Sequence, residues 1–487
     1  MKKINLLATN IHFIGIGGVS MSGLAEVLQR DGYTVTGSDN VKTTTTDHLQ
    51  SIGIPVLIPN AASNITSNTD MIVYTAAIKP DNPEYIAAKA TGKPMLERAA
   101  LLGIMLQGFD RAICIAGSHG KTSAMSLMAE ILLDANLDPT ISIGGFMART
   151  GTNYRTGDSG YFLLEACEYN NSYHHWHPHI GVILNIDADH LDFFKDFNGV
   201  VASFQKFAAN IRPSGALVAL HGSPVTAPPG VRMVTFGETH GDFTATNIAY
   251  DKLGRPSFDI AYEGVALARI NLPLPGRYNM LNALAVFAAS HMLGITPNVA
   301  AYALSNAKGV KRRFEYKGIY NGAHIIDDYA HHPTEIRECL TAARKGTKGR
   351  LICIFQPHTY TRTRNHLQEF AESFGEADMV LLLPIFAARE PFDPTISSLN
   401  LLEKMKAATP QAKSNCKHEV SGHTQNLPPQ DTDTPRKDRS CACPKITHFH
   451  TFPEAIDFLR HELTPGDMLI TMGAGNVYFI GESLLEA

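Results

Sequence analysis

Short apolar runs that stop at glycine or at acidic residues recur along the chain, and most are followed by helical spacing. IHFIGIG (residues 11–17) leads into SGLAEVLQRDG (22–32), YTVTGSD ends at Ser38 and Asp39, and DMIVYTAAI supplies a further run. Such runs read as strands of a parallel sheet, and the periodic segments between them as crossover helices. The pattern restarts at RAICIAG, passes through SHGKTS into the helix AMSLMAEILLDA, and continues with YFLLEACE (161–168) and IGVILNIDADH (180–190). Short strands fill 215–272, and LPLPGRYNMLNALAVFAAS then gives a Pro-Gly stop and a long helix. A basic hinge, KGVKRRFEY (308–316), separates this region from a third alternating set: AHIIDDYAHHPTE, RLICIFQPHTYTRTR, ADMVLLLPIF and DMLITMGAGN. The pattern predicts an α/β protein of three domains. These are a Rossmann-like N-terminal domain (1–106), a central P-loop ATPase domain with a mostly parallel sheet (107–312) and a C-terminal Rossmann-like open sheet (313–487).

Composition agrees with that count. A chain of 487 residues, 44% hydrophobic, holds roughly three domains at about 150 residues each. A net charge of -4 and a pI near 6.6 give no global attraction to nucleic acid or anionic membrane, so small molecules are the expected partners. Thr9, Asn10 and His12 interrupt the apolar N-terminus, which fits neither a signal segment nor a membrane span, and a cytoplasmic location is expected. Seven scattered cysteines read as reduced thiols. Residues 411–447, rich in Pro, Ser, Thr, Asp and Lys, are expected to form a disordered insertion; their C-x-C spacing suits zinc poorly.

The chemistry concentrates at strand ends. In IAGSHGKTS, the backbone N–H groups of Gly117, Ser118, His119, Gly120, Lys121 and Thr122, with Ser123 next in line, converge at a helix N-terminus where a phosphate is favoured. Lys121 supplies a cation, and Thr122 a hydroxyl for a phosphate-bridging Mg2+. Glu165, and then Asp187, Asp189 and His190, end strands on the same sheet edge and offer hard ligands. Asn279 and Asn282, three apart on a helix, either cap it or read an adenine edge. Arg312 and Arg313 either solvate a linker or pair with a triphosphate. The GIGGVS loop, with Ser20 where a third glycine belongs, serves either a tight turn or a phosphate. Asp327, Asp328, Tyr329, His331, His358, Arg362 and Arg364 line the last edge and suit a carboxylate and an amine.

GIGG, G-[ST]-x-GKT, E-A-x-E, N-I-x-x-D-H, GRYNxxNA, DDYxHHPTE, QPHxYTRTR and GAGN occur here in the order found in the Mur ligases, which the chain resembles nearly throughout, apart from 411–447. They follow most closely the branch that adds L-alanine in peptidoglycan precursor synthesis. The resemblance implies ATP and Mg2+ as cofactors, and UDP-N-acetylmuramate and L-alanine as substrates. It implies Lys121 on the ATP phosphates, Thr122 and Glu165 on one Mg2+ and His190 on a second, Asn279 and Asn282 on adenine and Asp327 on the ribose. Gly15, Gly17, Gly18, Ser38, Asp39 and Thr75 would line the UDP-sugar pocket, and Tyr329, His331, His358 and Arg362 would surround the alanine, with His331 or His358 helping the amine to attack. Departures are Cys167, Tyr278, Ala330 and Thr359, and Lys206 is not at the offset of the carbamylated lysine of several relatives. A monomer or weak homodimer is expected. Rival readings are a murein-peptide recycling ligase on the same frame, a dinucleotide-dependent oxidoreductase using GIGGVS, and a non-enzymatic ATP-binding regulator.

Overall fold

The computed structural model describes residues 6–388, 390–415 and 444–486. Among these the α/β reading holds, with three sheets. The first is parallel, in the order Val56–Leu57, Thr34–Ser38, Asn10–Ile14, Met71–Tyr74, Met95–Glu97. The second has ten strands, and at its centre Tyr161–Glu165, Arg111–Ala116, Ile180–Ile183 and Ala216–Leu220 run parallel side by side. The third has six strands, parallel apart from the edge strand Glu315–Tyr320, which pairs antiparallel with Ala323–Asp328.

The chain divides into two compact units, the first running to Lys311 and the second from Arg312 onward with two short excursions at Tyr250–Arg255 and Pro275–Arg277. The first two sheets share one unit because they share a core. Along Arg111–Ala116 side chains alternate, so Ile113 and Ile115 join a core with the helices Lys121–Asp134 and Arg277–Met292. Ala112, Cys114 and Ala116 face the opposite core, which is continuous with Phe13, Leu24 and Leu28 of the N-terminal sheet layer. Polar clasps reinforce that junction: the Trp176 indole donates to the Ala99 carbonyl at 3.0 Å, and Arg212 to those of Leu106 and Phe109 at 2.6 and 2.9 Å. Helix Lys121–Asp134 is buried along Thr122–Leu132, packed against strand Tyr161–Glu165 and helix Pro297–Ser305. Of its buried polar side chains, Ser126 is satisfied within the protein by the Ser123 carbonyl at 2.9 Å and Glu130 by Arg149 at 2.6 Å.

In the second unit Ile352 and Ile354 face one core and Cys353 and Phe355 the other. Part of the expected insertion belongs to this sheet layer. Helix Ser398–Asn415 runs past residue 411, and strand Lys445–His448 pairs with Met379–Leu382. The rest of that expectation, including Cys416, His418, His423, Cys441 and Cys443, lies outside the described residues. No helix among the described residues is long and apolar enough to cross a membrane.

Candidate active site

Strand Arg111–Ala116 delivers the chain into a four-residue loop, and helix Lys121–Asp134 starts directly after it. Gly117 (φ +148°) and Gly120 (φ +82°) adopt backbone conformations that side chains disfavour, and a Cβ on Gly120 would sit 3.0 Å from Asn282 Oδ1. Gly120 is the N-cap and as a glycine offers the helix no side-chain cap, so the first N–H groups and the positive end of the dipole suit an anion. The loop is braced from the strand Ile180–Ile183 exit. Asn185 Oδ1 accepts from His119 N at 2.8 Å, Asn185 Nδ2 donates to the His119 carbonyl at 3.0 Å, and the His119 ring meets the Asp187 carboxylate at 3.0 Å. Ser118 Oγ accepts from Asp187 N at 2.9 Å.

Lys121 Nζ folds back onto this loop. It donates to the carbonyls of Gly117 (2.6 Å) and Ser118 (3.2 Å) and to both Glu168 oxygens (2.9 and 3.1 Å). Burial disfavours the ammonium, but Glu168 outweighs it and raises the Lys121 pKa above its ordinary value. Thr122 Oγ1 lies 3.1 Å from the Glu165 carboxylate, which also accepts from Gly144 N at 2.9 Å.

Of the three expected metal ligands, Thr122 and Glu165 are together, whereas His190 groups with Glu168 and Asp189, their ligand atoms all within 4.8 Å of one another. Glu168, the last residue of the E-A-x-E motif, carries no expected role because strand-end logic stops at Glu165. Three residues later, the turn leading into the 3-10 segment Tyr169–His175 brings a second carboxylate to the site. Asn185 opens the N-I-x-x-D-H motif, but the pattern gives it no role as a brace of the phosphate loop. The donor set of hydroxyl, carboxylates and one imidazole fits Mg2+.

Asn279 and Asn282 are both buried, at 4% and 5% exposure, on helix Arg277–Met292. The Asn282 amide lies against Gly120 of the phosphate loop, and its Nδ2 meets no hydrogen-bond partner among the described residues.

The N-terminal glycine loop is gathered as expected. Gly15 N and Ile16 N donate to the Ser38 carbonyl at 2.9 Å, Gly17 N donates to Asp39 Oδ2 at 2.9 Å, and a Cβ on Gly15 would lie 2.7 Å from Thr75 Cγ2. Gly18 caps helix Val19–Arg30 without a side-chain partner. Ser38 corrects the expectation: its side chain is fully buried and its hydroxyl donates to Glu84 at 2.8 Å, so it anchors the loop and does not face a ligand. Arg98, not singled out by pattern, donates to Ser20 Oγ at 3.1 Å beside this loop.

Taken by itself, the second unit clusters Tyr329, His331, His358 and Arg362. The His331 ring lies 5.3 Å from that of Tyr329 and 5.6 Å from that of His358, and Arg362 Nη1 is 3.3 Å from His358 Nδ1. Burial, with Arg362 adding to it, pulls His331 down to about 3 and His358 to about 4. Both are neutral at physiological pH and too weakly basic to take a proton from an ammonium, so the helper role expected for them is not supported. Asp327 is 1% exposed and accepts from Thr471 Oγ1 (2.7 Å) and Arg312 Nε (3.1 Å). It is therefore a buried strut and not an open ribose acceptor. Arg312 is fixed by the Gly473 carbonyl (2.7 Å) and stacks on Tyr329 and Tyr478, while Arg313 lies 5.0 Å over the Tyr329 ring.

Three family descriptions match the chain: "Mur ligase family, catalytic domain" over 10–110, "Mur ligase middle domain" over 115–290 and "Mur ligase, glutamate ligase domain" over 312–475. The chain is 44% identical over 483 residues to a UDP-N-acetylmuramate–L-alanine ligase of Agathobacter rectalis, covering 98% of each chain. Among solved structures it resembles a UDP-N-acetylmuramate–alanine ligase of Thermotoga maritima, with a TM-score of 0.75 at 24% identity over 98% of each chain. It also resembles a murein peptide ligase of Psychrobacter arcticus, with a TM-score of 0.65 at 23% identity over 98% of each chain. At these identities both structures speak for the fold alone.

Proposed function

Since the chain belongs to the Mur ligase family, we propose that it is an ATP-dependent carboxylate–amine ligase joining L-alanine to the lactyl carboxylate of UDP-N-acetylmuramate, with release of ADP and phosphate. The observation that carries this reading is the helix N-terminus at Gly120 with Lys121 and the Thr122–Glu165 pair beside it, in a chain 44% identical to an L-alanine ligase along its length.

A carboxylate does not react with an amine at neutral pH, and phosphorylation turns it into an acyl phosphate that does. The helix N–H groups and Lys121 serve the β and γ phosphates, lowering the repulsion between the attacking carboxylate and the transferring phosphoryl group. Thr122 and Glu165, and the Glu168, Asp189 and His190 group, are the residues that would hold Mg2+. That ion supplies charge neutralisation at the phosphate oxygens. The loop Gly15–Gly18 with Asp39 and Thr75 takes the UDP-sugar, and Arg362, beside Tyr329 and His358, pairs with the alanine carboxylate. The neutral amine is the form of alanine that attacks, drawn from an ordinary α-amino equilibrium with a pKa near about 8.

The likeness to murein peptide ligases rests on solved structures at 23% and 28% identity, against 44% for the L-alanine ligase, and nothing in the site favours a dinucleotide. The test is isotopic. With heavy oxygen in the sugar carboxylate, turnover with ATP and L-alanine should place one labelled oxygen in inorganic phosphate, with ADP as co-product. Label in AMP with release of pyrophosphate overturns the γ-phosphate assignment, and turnover with a tripeptide but not with alanine overturns the substrate.

A further inference from the structure

The ammonium of Lys121 has three hydrogens, and the described chain accounts for all of them: the Gly117 carbonyl at 2.6 Å, the Ser118 carbonyl at 3.2 Å and the Glu168 carboxylate at 2.9 and 3.1 Å. Both side chains of the ion pair are largely out of water, with 14% exposure for Lys121 and 2% for Glu168. A cation in this position is already saturated, and a phosphate can be bound by it only if one partner gives way. The two carbonyls belong to the loop that cradles the phosphate and move with it. Glu168 does not: it lies beyond the neighbouring strand Tyr161–Glu165, at the start of the 3-10 segment Tyr169–His175.

We infer that Glu168 is a positioning residue for Lys121, holding it folded onto its own loop until nucleotide arrives, so that nucleotide binding exchanges one ion pair for another. The inference rests on the ATP reading above and adds to it a residue that acts through the lysine. Lys121 is kept charged and close to its working place, which a free side chain on a four-carbon stem is not. In return, ground-state affinity for the nucleotide is held down by the need to break the Lys121–Glu168 contact.

The test is a double-mutant cycle on ADP affinity, measured by titration calorimetry in EDTA so that a cation held by Glu168, Asp189 and His190 does not contribute. Glu168→Gln is expected to bind ADP on the order of tenfold more tightly than the wild-type chain, whereas the same change in a Lys121→Ala background leaves affinity unaltered. Glu168→Asp, which keeps the charge on a shorter stem, is expected to fall between wild type and Glu168→Gln, and serves if the glutamine variant does not fold. Equal tightening in both backgrounds means that Glu168 acts by simple repulsion of phosphate, and unchanged or weaker binding in a folded Glu168→Gln chain means that the pair is only structural; either result overturns the inference. A wild-type chain that binds no ADP removes the ATP reading itself and the inference with it.

Discussion

Ser38 and Glu84 stand 2.8 Å apart, hydroxyl to carboxylate, and neither side chain reaches solvent. Glu84 also accepts from His12 Nε2 (2.7 Å), Asn60 Nδ2 (3.1 Å) and Ala61 N (3.1 Å), while the Ser38 carbonyl takes the N–H groups of Gly15 and Ile16. One buried carboxylate thus ties the glycine loop to helix Pro83–Ala90. Burial opposes its charge, but the hydrogen bonds from His12, Ser38 and Asn60 outweigh that and hold the Glu84 pKa below its ordinary 4.5. The stabilisation is therefore present above pH 4.5 and lost as pH falls through the lower folded value. Glu84→Gln turns an amide donor toward donors and should cost about 3 kcal/mol in urea unfolding at pH 7, with a flatter acid limb than wild type. An unchanged midpoint would refute the role.

Lys121→Ala should lower turnover by about a hundredfold or more. It should also lower the melting temperature, because Glu168 is left as a buried carboxylate without its cation. Adding Glu168→Gln should restore part of the melting temperature and none of the turnover. Calorimetric scans with a phosphate-release assay on the three variants separate the two effects.

Arg362→Ala should raise the KM for L-alanine by at least about tenfold and leave the KM for ATP near its starting value, since a guanidinium that pairs with the amino-acid carboxylate contributes to one substrate only. Equal shifts in both constants would mean that Arg362 supports the fold around His358 and does not bind alanine.

The rate should follow the alanine amine and not the imidazoles. His331 and His358, depressed to about 3 and about 4, change charge only well below neutrality. The profile of kcat/KM for alanine should accordingly rise toward about pH 8. A His358→Asn chain should keep that shape even where its magnitude falls. An inflection near pH 6 to 7 that disappears in the variant would restore a base role.

The sequence reading succeeds where one element dictates one outcome. An apolar strand, a glycine turn and a helix must present Lys121 and Thr122 at a helix start, and Glu165 ends the next strand of the same sheet. It fails where the outcome depends on packing. Ser38 and Asp327 sit at strand ends with suitable chemistry, yet only the neighbours Glu84, Thr471 and Arg312 decide that their side chains turn inward. Glu168 was invisible as a partner of Lys121 because its position depends on the turn after the strand, and left-handed Asn170 and Asn171 within the segment that follows have no periodicity to read. The same limit hid the edge strand Lys445–His448, which is too short and polar to announce itself without Met379–Leu382 beside it.

Strand Arg111–Ala116 is hydrogen-bonded on one side to Tyr161–Glu165 and on the other to Ile180–Ile183. The lysine loop, the Glu165 carboxylate and the Asn185 brace consequently leave from three adjacent rungs, spaced by the pitch of a sheet, about 4.8 Å, and not by the lengths of the segments that join them. Apart from the phosphate loop, the buried helix Lys121–Asp134 and the turns that carry Gly144 and Glu168, those joining segments are free to lengthen or shorten without disturbing the spacing. Deletion of one residue within a rung has the opposite effect, since it sends the next side chain to the far face of the sheet. Tolerance to change is thus distributed unevenly: ample across dozens of connecting positions, and close to nil in the few residues that set the ladder.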